Sequence, residues 1–581
     1  MINHSVQGKE WVLKSFDKNL TEYIAHKYNL DYLTAKLLSI KHLKEHEIEN
    51  FLNPRVKNFL PNPLSFKDCE KALNILFKHI QNNNKICIFG DYDVDGATSS
   101  ALMSLYLKNL NIDHFVFIPN RQKDGYGPSN STFGNIIDQE VNLIITLDCG
   151  TTSFDAIELA KKNNIDVIVI DHHKSEEILP LADAIINPNR LDENGDYYYL
   201  CAVGVLFVFL VGLNKFLREK KFFENKNIKE PDLLNYLDLV MMGTVCDVVP
   251  LVNLNRAFVY QGLKIASKRT NLGLKTLVDY SKIRKKISTS EVGFILGPKI
   301  NAGGRIGKSE LGYKLLTTED AETAYLISSE LESFNYKRKD LERKIVDEAI
   351  ELVEKNKSEE IIFLVKNDWH EGLIGIVASR LKDYFNKPTF IIAKNGETCK
   401  GSARSIYGFD IGLAITKCKQ MSLILKGGGH PMAGGFTFEF DKIDSFKNEL
   451  IKIFKRSFKT RDDNNLLNID SYLDISAINL DLIEKINNLE PYGSGNREPT
   501  FAFENFSVSR VIETHNNHVK LVLKRGSFYL NAICFNSKNK NIGNYLMNYK
   551  KNFNVAGKIK LNEWSGKSNI ELIIEDLQLI N

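Results

Sequence analysis

Between Lys85 and Asn189 short apolar runs recur: KICIFG, HFVFIP, NLIITLD, DVIVID and AIINP, each separated from the next by a helix-length stretch. Runs this short, apolar and rich in Ile and Val predict parallel strands of successive βαβ units, covered on both faces. Upstream, residues 1–80 have a helical, polar pattern punctuated by Pro54, Pro61 and Pro63, which predicts an N-terminal extension packed on the core. Residues 316–358 contain neither Pro nor Gly and are dense in Glu, Lys and Leu, so a long connector helix is expected. A second, smaller α/β pattern occupies 359–459, with IIFLV, PTFIIA and the Gly-rich GGGHPMAGG. After the polar KTRDDNN, residues 460–581 carry TFAFENFSVSRVIE, HVKLVLK, SFYLNAICF, FNVAGKIK and IELIIEDL, the strands of a small OB-like β-barrel. The expected architecture is therefore α/β: a parallel-sheet domain over 81–315, the connector helix, a smaller α/β domain, and the barrel.

Composition changes this picture little. At 581 residues the chain is too long for one core, and 43% hydrophobic with 25% charged residues is the balance of a folded soluble protein. The longest apolar run, Val203 to Leu213, falls well short of the ~20 residues that span a bilayer, so it reads as a buried helix. With 76 basic against 72 acidic residues there is no global signature of a polyanion partner, and any nucleic-acid surface must be local. Eight cysteines without a CxxC pair, and an N-terminus without a secretory pattern, lead us to expect reduced thiols in a cytoplasmic protein.

The chemistry is concentrated in acidic residues that follow apolar runs. KICIFG leads into DYDVDG, placing Asp91, Asp93 and Asp95 at the C-terminal edge of the sheet, where open α/β folds bind ligands. Three carboxylates so close repel one another, and a divalent cation would compensate; a solvated acidic turn explains this segment alone equally well. Recurrence decides between the two. NLIITLD ends at Asp148, DVIVI ends at Asp171 before His172 and His173, and YLDLVMMGTVC leads to Asp247. Read as strand ends, these residues converge at one edge, as a two-metal site requires. Carboxylates mixed with imidazole suit Mn²⁺ or Mg²⁺ better than structural zinc.

DYDVDG, LDCG, DHH and GTVCDVVPL, in this order, resemble the four motifs of the DHH phosphoesterases. IPNRQKDGYGPS, GPKINAGGRIG, KGSARSIYGFD, GGGHPMAGG and LEPYGSGNREPTF resemble the bacterial single-strand exonucleases of that family, from about Lys85 to the C-terminus. The resemblance implies one metal on Asp93 and Asp148, and another on Asp95, Asp148, His172 and Asp247, with Asp148 bridging. Asp91 and His173 would stand behind these ligands, and His430 would approach the scissile phosphate. Ser402, Arg404 and Arg305 would form a pocket for a 5′-terminal phosphate, with Arg121 beside it. GSARS and NAGGRIG would supply backbone amides from Gly-rich turns.

Implied with these residues is a hydrolase using two Mn²⁺ or Mg²⁺ ions to degrade single-stranded DNA from the 5′ end to 5′-mononucleotides. Its setting would be recombination and repair, as a cytoplasmic monomer beside a single-strand-binding protein and a RecQ-type helicase, away from membranes. Strand selectivity would come from a narrow passage between the two α/β domains. In the barrel, Phe501, Phe503, Phe506, Tyr529 and Phe535 with Lys520, Lys524 and Arg525 would suit base stacking and backbone tracking.

Two family alternatives are a phosphodiesterase for short oligonucleotides or cyclic dinucleotides, and a non-catalytic single-strand-binding relative. AGGRIGKS, from Ala302 to Ser309, also meets a relaxed phosphate-loop pattern, but Pro298 interrupts the strand such a loop needs.

Overall fold

A computed structural model describes residues 5–580 apart from 121–123, 126, 285, 356–359, 459–465, 513–516, 549–550 and 565–566. The chain divides into two compact units: Pro61–Val249 with Gly262–Arg461, and Met1–Leu60 with Pro250–Gln261 and Asp462–Asn581.

The first unit is built on a parallel five-stranded sheet in the order His114–Phe117, Ile86–Gly90, Leu143–Leu147, Asp166–Ile170, Ala184–Ile186. Every residue of Ile86–Gly90 and Leu143–Leu147 is buried, which is why these runs are uninterruptedly apolar. Strand order reverses around Ile86–Gly90, so the crevice at its C-terminal end is the natural ligand position. The Val94–Asn109 helix starts there and packs against both the Ala202–Glu219 and Leu237–Cys246 helices. Small residues make this possible: Ala97, Ser99, Ser100 and Ala101 are completely buried. Glycine is required where strand meets helix, since a Cβ on Gly96 would lie 2.4 Å from the Asp91 carbonyl oxygen.

The connector helix runs over Ala321–Lys355 and packs on the Ile374–Phe385 helix. Beyond it a five-stranded mixed sheet has the order Lys426–His430, Ala433–Glu439, Thr398–Arg404, Thr389–Asn395, Ile362–Lys366. Its last pair is parallel and the rest antiparallel, with GGGHPMAGG forming a hairpin.

In the second unit, Phe501–Ile512, Val519–Arg525, Phe528–Cys534, Lys567–Leu579 and Phe553–Trp564 follow one another, and the last pairs back to the first. This is the expected OB-like closed barrel. The N-terminal segment departs from expectation. Its Glu10–Leu13 strand pairs with Leu466–Ile469, and Ile24, Ala35, Leu38 and Ile48 share one core with Phe501, Phe503 and Phe506. Residues 1–60 therefore belong with the barrel, while the Cys69–Gln81 helix belongs to the other unit. An amphipathic pattern specifies that a face is buried but not which apolar surface receives it.

Truncating Ile24, which is fully buried, should test this assignment. Ile24→Ala is expected to cost about 2–5 kcal/mol. Hydrogen exchange should accelerate in the Phe501–Ile512 and Val519–Arg525 strands and stay unchanged in Ile86–Gly90 and Leu143–Leu147.

Candidate metal centre

Five carboxylates and a histidine meet at the edge of the parallel sheet. Asp91 follows the Ile86–Gly90 strand directly, and Asp93 caps the next helix by accepting the Gly96 N–H at 3.0 Å. Asp95, in that helix's first turn, accepts the Ala202 N–H at 2.6 Å and the Val203 N–H at 3.0 Å. It thus lies on the positive end of the Ala202–Glu219 helix, where an anion is favoured. Asp148 follows Leu143–Leu147 with φ 63°, a left-handed conformation that costs a non-glycine residue energy and marks a constrained position.

Asp247 arrives differently from the sequence reading. Leu237–Cys246 is an α-helix buried along most of its length, and Asp247 is its C-cap, not a strand tip. A short, mostly apolar run buried along its length carries little periodicity with which to separate buried strand from buried helix. The convergence of the residue on the site is nevertheless as expected.

His172 Nε2 lies 3.3 Å from Asp148 Oδ1, 3.7 Å from Asp247 Oδ2 and 3.9 Å from Asp95 Oδ2. Ligand atoms of Asp95, His172 and Asp247 fall within 4.8 Å of one another, as do those of Asp91, Asp93 and Asp148, and those of Asp148, His172 and His173. Asp148 therefore touches both ends of the cluster. Asp91 stands within the carboxylate group itself rather than behind it.

Asp171 completes the arrangement. Its Oδ1 accepts from His173 Nδ1 at 2.7 Å and from the His172 N–H at 2.7 Å, and its Oδ2 accepts from the Thr151 N–H at 3.1 Å. Asn187, at the end of AIIN, donates to Thr151 Oγ1 and the His173 carbonyl. Sequence reasoning used Asp171 only as a strand end and passed over Asn187; position directly after a buried strand was the available signal for both.

The electrostatics are those of crowded anions. Burial, then Asp93, pushes Asp95 up to about 7, and burial with Asp95 and Asp93 pushes Asp247 up to about 8. Asp148 is held well above the carboxylate range by burial and by Asp93, Asp95, Asp91 and Asp247. Burial, then His173, lowers His172 to about 4, leaving a neutral imidazole able to ligate. Burial would lower His173 too, but its hydrogen bond to Asp171 raises it to about 9. Asp148 Oδ1 is buried without a hydrogen-bond donor. Hard oxygen donors, one neutral imidazole and an unsatisfied carboxylate oxygen fit a divalent cation such as Mn²⁺ or Mg²⁺. Burial keeps the neighbouring Cys149, Cys201 and Cys246 protonated, so they are poor ligands.

In the smaller domain, Ser402 and Arg404 end the Thr398–Arg404 strand, and Arg305 ends the Gly297–Ile306 helix. They gather around the turn before Ile374–Phe385: Arg305 Nη1 donates to the Gly372 carbonyl at 3.0 Å. A Cβ on Gly375 would lie 3.1 Å from Ser402 Oγ and 3.4 Å from an Arg404 nitrogen. Gly372 and Gly375, which the motif reading missed, leave this space open. Arg404 is displaced downward by burial and, among the described residues, has no carboxylate within ion-pair distance. NAGGRI is helical and GSAR a strand, so neither is the Gly-rich turn expected, and no phosphate loop exists at Ala302. His430 ends the Lys426–His430 strand, and burial, then Lys174 and His173, hold it below the usual imidazole range. Arg121 lies outside the described residues.

The barrel aromatics separate by burial. Phe501, Phe503 and Phe506 are core, which removes them as stacking candidates, whereas Phe528, Tyr529 and Phe535 are exposed and Lys524 lies over Tyr529. Lys520 pairs with Glu571 and Arg525 with Asp474.

Without bound cations the cluster should make stability fall with pH. Folded Asp95 and Asp247 retain protons that the unfolded chain releases near pH ~4, and folded His173 retains one above ~6.5. His172 acts oppositely, but only below ~6.5. Between about pH 6.5 and 8 the net slope is therefore negative. The melting temperature of EDTA-treated protein should drop across that interval, and Mn²⁺ should restore more of it at pH 8 than at pH 6.5. A flat or rising profile would contradict the assignment of the cluster.

Comparison with known proteins agrees with this geometry. Residues 85–244 match the DHH family, N-terminal domain; residues 358–456 match the DHHA1 domain; and residues 469–576 match the RecJ OB domain. The single-stranded-DNA-specific exonuclease RecJ of Haemophilus influenzae is 34% identical over 91% of this chain and 94% of its own. That of Escherichia coli is 33% identical over 90% and 92%. The crystal structure of RecJ from Thermus thermophilus in complex with Mn²⁺ superposes with a TM-score of 0.80 at 25% identity, covering 98% of this chain and 80% of that one. Parallel-sheet domain, DHHA1 domain and OB barrel occur in the same order, and the chain belongs to the RecJ family, whose named members are single-stranded-DNA-specific exonucleases.

Proposed function

We propose that the protein is a metal-dependent exonuclease that degrades single-stranded DNA from the 5′ end, releasing 5′-mononucleotides. The observation that carries this reading is the convergence of Asp93, Asp95, Asp148, His172 and Asp247, with His172 Nε2 within 3.9 Å of three carboxylates. Asp93 and Asp148 would hold one divalent ion, and Asp95, Asp148, His172 and Asp247 the other. Asp91 lies close enough to Asp93 and Asp148 to share the first. Such an ion pair lowers the pKa of the attacking water and offsets negative charge on the phosphate.

The protein's own groups do the positioning. Asp171 orients the His173 ring and anchors the backbone of His172 and His173, and His173, protonated at neutral pH, adds a positive charge beside the phosphate. His430 approaches the same phosphate from the smaller domain. Arg404, Ser402 and Arg305 grip the terminal phosphate, with Arg404 as the half-buried cation whose counter-charge the substrate supplies. Hydrolysis breaks the bond to the 3′ oxygen, so a 5′-mononucleotide leaves and the next phosphate becomes terminal.

The barrel, through Tyr529, Phe528 and Phe535, would hold the strand beyond the site. No helix among the described residues is long and apolar enough to cross a membrane. The reading includes action in the cytoplasm as a monomer, in recombination and repair, beside a single-strand-binding protein and a RecQ-type helicase.

End-labelled single-stranded DNA incubated with and without Mn²⁺ tests the polarity: the 5′ label should be released first, only with the metal. Asp148→Ala should lower kcat by at least about 10³-fold with the fold retained. A folded, active variant would remove the residue from the site. Arg404→Ala should raise KM for 5′-phosphorylated strands about ten-fold more than for 5′-hydroxyl strands, as loss of a charge-assisted contact predicts. An unchanged preference would sink the pocket.

A further inference from the structure

A cavity of about 740 Å³ lies wholly within the unit formed by Met1–Leu60, Pro250–Gln261 and Asp462–Asn581, and shares no residue with the metal centre. Leu37, Ile40, Phe51, Leu251 and Tyr492 give it an apolar lining. The lining is also cationic. Lys41, Arg256 and Arg497 all belong to it, and among the described residues none has a carboxylate within ion-pair distance.

Two carboxylates also border the cavity, and so does Lys14. Asp470 pairs with Lys14 at 2.8 Å and accepts the Thr500 N–H at 2.8 Å. Glu47 closes the start of its helix by accepting the Lys44 N–H at 2.8 Å. Arg256 is spent on the backbone, donating to the carbonyls of Phe51, Leu489, Glu490 and Pro491. It builds the wall and stacks on the Phe51 ring, 3.7 Å from its centre. Lys41 gives one hydrogen bond, at 2.6 Å, to the neutral amide of Asn496 and retains two further donor protons. Burial and the neighbouring Arg256 lower Lys41 to about 8, a displacement that an anion would reverse. Arg497 is exposed at the rim.

We propose that this cavity binds a mononucleotide, with the phosphate on Lys41 and Arg497 and the base against the apolar residues. A bare phosphate would satisfy the cations and leave the apolar residues wet. An uncharged aromatic would leave the cations uncompensated. A nucleotide satisfies both groups, and the volume lies in the ~300–1,000 Å³ range of small-ligand sites. The inference rests on the cavity and stands apart from the exonuclease reading, although that reaction's product belongs to the same ligand class.

Calorimetric titration of the full chain carrying Arg404→Ala with dAMP in EDTA isolates this site, because the carboxylate cluster then lacks divalent ions and the terminal-phosphate pocket lacks its arginine. One saturable site per chain is expected, retained in Asp148→Asn. Arg497→Gln and Lys41→Gln should each weaken it about ten-fold, the effect of one charge-assisted hydrogen bond. Inorganic phosphate and deoxyadenosine should both bind at least about ten-fold more weakly than dAMP. Arg497 is exposed, so its variant keeps the test informative if Lys41→Gln fails to fold. Absence of saturation, unchanged affinity in Arg497→Gln, or loss of binding in Asp148→Asn would overturn the proposal. Inorganic phosphate binding as tightly as dAMP would overturn the nucleotide assignment.

Discussion

Mutual repulsion among Asp91, Asp93, Asp95, Asp148 and Asp247 is the constraint around which the larger unit is arranged. Left alone, buried carboxylates this close take up protons, as the raised Asp95, Asp148 and Asp247 do. The fold opposes this with dipoles and with held imidazoles. Asp95 sits on the first amides of the Ala202–Glu219 helix, Asp93 caps the helix that follows it, and Asp171 holds the His173 ring and the His172 backbone. What remains uncompensated is a cluster of oxygens whose charge a pair of divalent cations would balance. The rest of the sheet domain serves that geometry, down to the small residues that let the Val94–Asn109 helix carry two of the carboxylates into the crevice.

Across the same unit the charge is reversed. Arg404 is half-buried and, among the described residues, has no carboxylate within ion-pair distance; it lies next to Ser402, Arg305 and a segment kept open by Gly372 and Gly375. An anionic cluster fits cations, and an uncompensated cation fits an anion. The barrel unit repeats the second theme on its own, with Lys41, Arg256 and Arg497 around a cavity.

Where sequence reading and structure parted, the cause was the same each time. The run before Asp247 is mostly apolar, with little of the periodicity that distinguishes helix from strand, and it is a helix. The N-terminal helices have a plain apolar face, but its partner is Phe501, Phe503 and Phe506, residues more than about 450 positions away. Those same phenylalanines looked like a stacking surface because aromatic residues in strands serve core and ligand alike; burial alone separates them from Tyr529 and Phe535.

The amino-acid sequence by itself determined the parallel strands, the connector helix, the barrel strands and the identity of the acidic and imidazole groups. These are local matters: runs of apolar residues, spacing, and motifs whose order survives without coordinates. Tertiary structure decided which of those groups meet, that Asp91 joins the carboxylate cluster, that Asp171 holds the histidines, and that the N-terminal segment completes the barrel. Each of these depends on packing between segments far apart in the chain, and a pattern that records which face is buried holds no record of what buries it.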